Sequence, residues 1–304
     1  MAETPERVIT ADAVVRRVAF TADGSSLMGV CGDGKVRFWD AQTGALQRAV
    51  PWNTDDRRGV TLSPDLRLLA AAGPEKVIKV WDLKSGEMRH RMPALPVAPG
   101  EIAISPDGKL LASNAEDENT VRLWDLATAK QLLTLADGLG NSGLLFSPDN
   151  SLLVGANTDT VVRVWHTGSG KQVAAIDELP VAMFALVFSP DGRFFGAAGA
   201  DRTIHVFETG GWKKVAALNG QPEMITALAL APQGRVLVAG GFDDVTVKNP
   251  TKVLVWDVPS RSVMRTVPAR HRVESVAISP DARWVAVADA EKTVQIWSSA
   301  APKA

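Results

Sequence analysis

The stretch IAISPDGKLLASNAEDENTVRLWD, residues 102–125, contains the pattern that decides the fold. A short apolar segment, Ile102-Ala103-Ile104, is followed by Ser105-Pro106-Asp107-Gly108. In such a turn Pro fixes φ, Asp hydrogen-bonds its own backbone and Gly supplies a positive φ. A second apolar segment, a polar turn and a third segment ending at Trp124 come next. Short apolar segments separated by turns predict antiparallel strands joined as hairpins.

This unit recurs seven times along the chain, at intervals of 41 to 49 residues. The aromatic residues that end the third strands are Trp39, Trp81, Trp124, Trp165, Phe207, Trp256 and Trp297. Thr21-Ala22-Asp23-Gly24 and Ala231-Pro232-Gln233-Gly234 are degenerate copies of the turn. A fourth segment, such as Gln131-Leu132-Leu133-Thr134-Leu135, follows the aromatic residue. Four short strands repeated at this period predict the blades of a β-propeller.

We therefore predict an all-β fold: a seven-bladed β-propeller of four-stranded antiparallel blades, forming one domain over residues 1–304. The predicted blades are 14–50, 57–93, 99–136, 141–176, 183–218, 225–267 and 273–298. Residues 298–304 are rich in Ala, Ser and Pro, so they are poor candidates for the fourth strand of the last blade. Residues 7–11 suit that position, and pairing them there removes an open sheet edge.

The repeats resemble the WD-repeat (WD40) family over residues 7–298. The Trp-Asp pair of that family stands at Trp39-Asp40, Trp81-Asp82, Trp124-Asp125 and Trp256-Asp257. In the other three repeats it is replaced by Trp165-His166, Phe207-Glu208 and Trp297-Ser298. Its combination with Ser-Pro-Asp-Gly turns resembles bacterial members. The resemblance implies that the N-terminal strand completes the last blade. It also implies that partners bind the loops before the first strand and between the second and third strands.

Two features depart from the family pattern. The Gly-His pair before the first strand is missing, and the second strand rarely offers a Ser or Thr to bond the indole. We therefore expect the tryptophans to act mainly as packing wedges. A basic residue stands two positions before four of them: Arg37, Lys79, Arg122 and Arg163. Their stems either cover the indole rings, with a cation–π benefit, or are solvated charges at the blade periphery.

Composition narrows the classes of partner and compartment. The chain has 33 basic and 34 acidic residues and a net charge of −1, which does not favour nucleic-acid or membrane binding. Cys31 is the only cysteine, which suits a reducing compartment. The N-terminus has no apolar signal-peptide core, and no apolar run is long enough for a membrane helix. We expect a cytoplasmic protein.

A search for chemistry in the sequence predicts no enzyme, no metal site and no cofactor. The histidines His90, His166, His205 and His271 fall in different blades, and we interpret them as surface or edge residues. Gly138 to Gly143 matches G-x-G-x-x-G but leads into a strand instead of a helix. We interpret Gly168 to Lys171 as a turn and Cys31 as a small core residue.

Alignment of the turns on the family's binding loops selects a candidate partner surface. Exposed aromatic and Met residues beside Arg are typical of interface hot spots. The selected residues are Arg16, Arg57, Arg58, Asp117, Phe184, Met224, Arg272 and Glu274. Phe184 and Met224 also fit an alternative in which they plug the channel mouth. An insertion in blade six, residues 242–252, is expected to project from the same surface.

These observations predict a non-catalytic, monomeric scaffold that binds a protein or peptide. Two alternatives stay open: a propeller enzyme or small-ligand binder acting at the central channel, and a regulatory propeller of a larger bacterial protein. Glu101 and Glu274 are the carboxylates expected at the channel end of the first strands, and they form no ring that a metal-dependent hydrolase would need.

Overall fold

The computed structural model describes residues 4–52, 59–73, 75–115, 118–136, 141–157, 159–242 and 251–300. These residues form an all-β, seven-bladed propeller of four-stranded antiparallel sheets, as the repeat predicts. None of the described residues is helical, so none lies in a helix long and apolar enough to span a membrane.

The strands of the first four blades follow the predicted hairpin order. Blade one contains β2 (Val15–Phe20), β3 (Ser26–Cys31), β4 (Lys35–Asp40) and β5 (Leu46–Pro51). Blade two contains β6 (Gly59–Leu62), β7 (Leu68–Ala72), β8 (Ile78–Asp82) and β9 (Met88–Arg91). Blade three contains β10 (Pro99–Ile104), β11 (Leu110–Ala115), β12 (Glu118–Asp125) and β13 (Lys130–Ala136). Blade four contains β14 (Asn141–Phe146), β15 (Leu152–Asn157), β16 (Val162–His166) and β17 (Gln172–Ile176).

The last three blades repeat this order, except that the fourth strand of blade seven is the N-terminal strand of the chain. Blade five contains β18 (Met183–Phe188), β19 (Phe194–Gly199), β20 (Thr203–Glu208) and β21 (Lys213–Asn219). Blade six contains β22 (Ile225–Leu230), β23 (Val236–Gly241), β24 (Thr251–Asp257) and β25 (Ser262–Ala269). Blade seven contains β26 (Val273–Ile278), β27 (Trp284–Asp289), β28 (Thr293–Ser298) and β1 (Arg7–Thr10).

The chain divides into two compact units, each with its own apolar clusters. One unit comprises Met1–Pro51, Phe194–Phe207 and Lys214–Ala304, and the other comprises Trp52–Arg193 and Glu208–Lys213. In the first unit, Ile9 of β1 packs in the same cluster as Val294 and Ile296 of β28. In the second unit, blades two and three share a cluster around the buried Trp124. Burial of both faces of the inner strands explains why they are apolar throughout.

The N-terminal strand closes the last blade, as predicted. β1 pairs antiparallel with β28, from Arg7 opposite Ile296 to Thr10 opposite Thr293. Backbone bonds continue at both ends, from Glu6 N to Ile296 O at 2.9 Å and from Ala11 N to Lys292 O at 2.8 Å. The last blade therefore depends on a strand from the opposite end of the sequence.

The Ser-Pro-Asp turns form the predicted hydrogen bonds. Ser63 Oγ donates to Asp65 Oδ1 at 2.5 Å and accepts from Leu68 N at 2.9 Å. The equivalent bonds of Ser105 and Ser279 measure 2.6 to 2.9 Å. In the degenerate turn of blade one, the Thr21 hydroxyl, helped by Ser25, lowers the pKa of Asp23 to about 2. In these turns, side chains of the turn thus provide hydrogen-bond acceptors for its own backbone N–H groups.

Three of the four basic residues before the tryptophans form ion pairs that the sequence interpretation missed. Each of the three meets a carboxylate four residues earlier, across the turn between the second and third strands. The pairs are Arg37–Asp33 at 2.6 Å, Lys79–Glu75 at 2.8 Å and Arg163–Asp159 at 2.7 Å. In blade five, His205 takes the equivalent position, and its Nε2 lies 2.6 Å from Asp201 Oδ2. Arg37 is only 3% exposed and also bonds Asp12 at 2.8 Å. The interpretation as solvated charges is therefore wrong for Arg37, Lys79 and Arg163, whereas Arg122 and the cation–π alternative stay predictions.

The tryptophans behave largely as packing wedges. The Trp39 ring lies so close to β3 that a Cβ on Gly29 would be 2.5 Å from its Cζ3 atom, so only Gly fits there. Trp256 Nε1 is buried and has no hydrogen-bond partner in the described part of the chain. In blade three the indole does form a side-chain hydrogen bond, since Ser113 Oγ on the second strand accepts from Trp124 Nε1 at 2.9 Å.

Deletion of residues 1–11 removes β1, so we expect it to destabilise the last blade and to lower the Tm by at least about 5 °C. Deletion of residues 1–4 leaves the β1 pairing intact and serves as the control. Differential scanning calorimetry measures both. An unchanged Tm in the longer deletion would show that β1 does not close the blade.

Substitution of Arg37→Met leaves two carboxylates without their buried partner, and we expect a loss of about 2 kcal/mol in the free energy of unfolding. Lys79→Met is the matched control, since its pair is more exposed and we expect a loss below about 1 kcal/mol. Urea denaturation measures both values. Equal losses would contradict a special role for the Arg37 cluster.

Stability should fall as the pH falls from about 4 to 2. Hydrogen bonds from the Ser260 hydroxyl and from Arg235 lower the pKa of Asp257 to about 2, below its ordinary 3.8. A carboxylate with a lowered pKa stabilises the fold above its unfolded pKa and stops doing so once it is protonated. In urea midpoints measured from pH 7 to pH 2, Asp257→Ala should therefore be destabilised at pH 7 and match the wild type near pH 2. Exposed Asp177→Ala is the control, and a parallel offset at every pH would refute the account.

Candidate interaction surface

A β-bulge interrupts the first strand of several blades near its start. The pairing register between the first and second strands shifts between Val15 and Arg17, between Ile225 and Ala227, and between Val273 and Ser275. Blades three and four shift at Pro99/Ile102 and Asn141/Gly143. The extra residues include Arg16, Thr226 and Glu274, so two sequence-selected residues lie on bulges. Because bulges redirect side chains, this strand end can present residues that the regular pleat would not.

Arg16 is partly exposed and lies against the turn between β3 and β4. A Cβ on Gly32 would lie 3.6 Å from Arg16 Nε and 4.0 Å from Nη2, so the guanidinium covers this glycine. The turn is fixed by a bond from Gly32 N to Val14 O at 2.9 Å. Arg16 Nε is itself buried, yet it has no hydrogen-bond partner among the described residues.

Met224 and Thr226 begin the first strand of blade six. A Cβ on Gly241 would lie 1.9 Å from Met224 O and 2.9 Å from Thr226 N, so glycine is required for this close approach of β22 to β23. Met224 is half-buried. The Thr226 hydroxyl is buried without a hydrogen-bond partner in the described chain.

Arg272 and Glu274 form an ion pair at the start of blade seven. Arg272 Nε donates to Glu274 Oε1 at 2.8 Å, and Nη2 lies 2.6 Å from the same oxygen. The Arg272 guanidinium also lies 4.4 Å from the centroid of the Phe242 ring. This cation is therefore neutralised by Glu274 and held on an aromatic face.

The first strands of blades six, seven and one pack side by side, with β26 between β22 and β2. Val18 N of β2 donates to Ser275 Oγ of β26 at 3.2 Å. This packing brings the starts of three strands into one neighbourhood. We call this surface the three-blade rim and define it by Arg16, Met224, Thr226, Phe242, Arg272 and Glu274.

The remaining selected residues lie elsewhere. Phe184 belongs to the other compact unit and is 36% exposed at the start of β18, where its carbonyl oxygen would be 3.8 Å from a Cβ on Gly143. Arg57, Arg58 and Asp117 lie outside the described residues, and so does most of the blade-six insertion, 243–250. The partner roles predicted for them stay predictions.

Cys31 and His205, two groups with catalytic potential, are buried. Cys31 is fully buried, and burial raises the pKa of its thiol. His205 is only 4% exposed and its Nε2 lies 2.6 Å from Asp201 Oδ2, so its interpretation as a surface or edge residue is wrong. Within the described ranges, no cluster of three His, Cys, Asp or Glu side chains is placed to hold a metal ion. Asn141–Phe146 is a strand, so the G-x-G-x-x-G match does not lead into a helix.

Thr226 is the rim residue that sequence reasoning left out of the candidate site. It stands five positions before its turn, as Arg16 and Glu274 do before theirs. That alignment identified the position, but a lone Thr carries no charge or aromatic ring that would mark it as a binding residue. Only the burial of its hydroxyl without a partner shows that it is unusual.

Comparison with known proteins supports the architecture. The profile of the family described as WD domain, G-beta repeat matches residues 3–40, 100–125, 140–166, 179–208 and 262–298, together just over half of the chain. A search of curated proteins finds no match. Since the matched segments coincide with the repeated strands, the chain belongs to the WD domain, G-beta repeat family.

Proposed function

We propose that this propeller is a non-catalytic scaffold that binds a protein or peptide through the starts of its first strands. WD40 propellers commonly serve as protein-interaction scaffolds, and this chain belongs to that family. We extend the proposal to a monomeric propeller that forms one domain over residues 1–304, lies in the cytoplasm and has no nucleic-acid or membrane partner. The near-neutral net charge of −1 supports the absence of those partners.

The observation that carries the proposal is the difference between frame and rim positions. Frame positions recur along the chain: the aromatic residue in all seven blades, the turn Ser or Thr in six, and an ion pair before the aromatic residue in blades one, two and four. The bulged position does not repeat, since it holds Arg16, Ser142, Thr226 and Glu274 in four different blades. Positions that vary on a repeated frame are where a scaffold acquires specificity.

Two further observations favour binding over catalysis. The one thiol is buried with a raised pKa, which disfavours the thiolate that nucleophilic attack requires. The rim instead combines Met224, an aromatic residue and a stacked arginine, which are residue types enriched at protein interfaces.

Affinity capture from the native cell, with the full chain as bait, tests the proposal. Wild type is compared with Arg272→Ala and with Phe184→Ala, while Arg283→Gln is the control because it is 80% exposed at the opposite end of β26 from Glu274. We expect at least one rim or Phe184 variant to lose a captured protein by about tenfold or more, because hot-spot residues dominate binding energy. The control should retain it.

Equal recovery by all four proteins would contradict the assigned surface. Turnover of a small substrate by the purified chain would contradict the scaffold function and favour an enzyme acting at the propeller.

A further inference from the structure

We infer that the three-blade rim recognises an acidic side chain of its partner, and that Arg16 is the residue that receives the carboxylate. This inference rests on the proposed scaffold function and adds the chemistry of the ligand. The occupant is a peptide segment with one acidic residue next to an apolar one.

Arg16 carries the first part of the argument. Its Nε–H is buried without an acceptor in the described chain, while the residue as a whole is partly exposed. A buried donor left without a partner destabilises the fold, so such groups are normally satisfied by protein, water or ligand. A guanidinium offers parallel N–H donors that match the two oxygens of a carboxylate. Because Arg16 as a whole is partly exposed, an incoming Asp or Glu can reach the guanidinium from its exposed side and supply an acceptor that the described chain does not.

The neighbouring charges show that Arg16 is the available cation of the rim. Arg272 is already paired with Glu274. Asp33, on the turn that Arg16 covers, accepts from Arg37 with both carboxylate oxygens, at 2.9 and 2.6 Å. That bond lowers the pKa of Asp33 and keeps it ionised for Arg37. Glu274 and Asp33 are both engaged by other arginines, and no carboxylate of the described chain forms an ion pair with Arg16.

The remaining rim residues define what else the bound segment can contact. Half-buried Met224 offers apolar contact. Glu274 disfavours a second acid beside the Arg272 pair, because like charges repel. The rim therefore fits a single acidic residue with an apolar neighbour and not a run of acids.

The test uses an array of random decapeptides probed with the fluorescently labelled full chain. The strongest binders are resynthesised with each Asp→Asn or Glu→Gln change and titrated by fluorescence polarisation. We expect one acid-to-amide change in each binder to weaken the Kd by about tenfold, as for loss of a charge-assisted hydrogen bond. Arg16→Gln should bind the acid and amide peptides equally.

Three further variants make the result specific. Arg16→Lys keeps the positive charge but removes the parallel N–H donors of the guanidinium. It should retain part of the preference for the acid peptide over the amide peptide. Arg283→Gln should retain all of it, and Met224→Ala, which removes the apolar contact, should weaken the acid and amide peptides by the same factor. Thermal unfolding of each variant confirms that it is folded.

Two outcomes would overturn the inference, and they differ in what they leave standing. If rim-dependent partners or peptides bind but acid and amide peptides bind equally, or the preference survives Arg16→Gln, the carboxylate assignment is wrong and the scaffold function stands. If neither cell capture nor the array yields a ligand that rim variants lose, the scaffold function on this surface fails as well.

Discussion

Pairing of β1 with β28 joins the two ends of the chain in one sheet, and the geometry of blade seven depends on it. Arg7 to Thr10 supply the outermost strand of a blade whose other three strands lie more than 260 residues later in the sequence. Ile9 is buried against the side chains of β28, so the pairing also completes an apolar cluster. Asp12, just after β1, bonds Arg37 of blade one. The short N-terminal segment thus connects blade seven to blade one, the two blades that hold Glu274 and Arg16.

Most polar groups of the frame are satisfied within their own repeat. The Ser-Pro-Asp turns bond their own backbone, and the ion pairs before the aromatic residues close the turn between the second and third strands. This local satisfaction lets the unit repeat without depending on particular neighbours. Against this background, the orphan donors of Arg16 and Thr226 stand out, because both lie on bulges. The bulge allows binding residues to vary while the ladder around them continues.

Much of the frame could be predicted from the sequence because its signals are local. Turn chemistry and the spacing of the aromatic residues predicted the hairpins, and they did so even over 41–99 and 209–261, which the family profile leaves unmatched. The ion pair of Arg37 was missed because its carboxylate lies across a turn and not on the strand face shared with Trp39. The bulges were missed because one extra residue changes the direction of a side chain without altering the apolar alternation. His205 looked like a surface residue since its burial depends on packing that no local pattern reports.

The central claim is that specificity lies at the bulged starts of the first strands. Hydrogen–deuterium exchange of the full chain, with and without a captured partner, tests it most directly. The account predicts slower exchange on binding at residues 14–17, 223–227 and 271–275, with no change at the turns 21–26, 231–235 and 279–284. Protection confined to those turns, at the opposite ends of the same strands, would place the partner elsewhere and contradict the account.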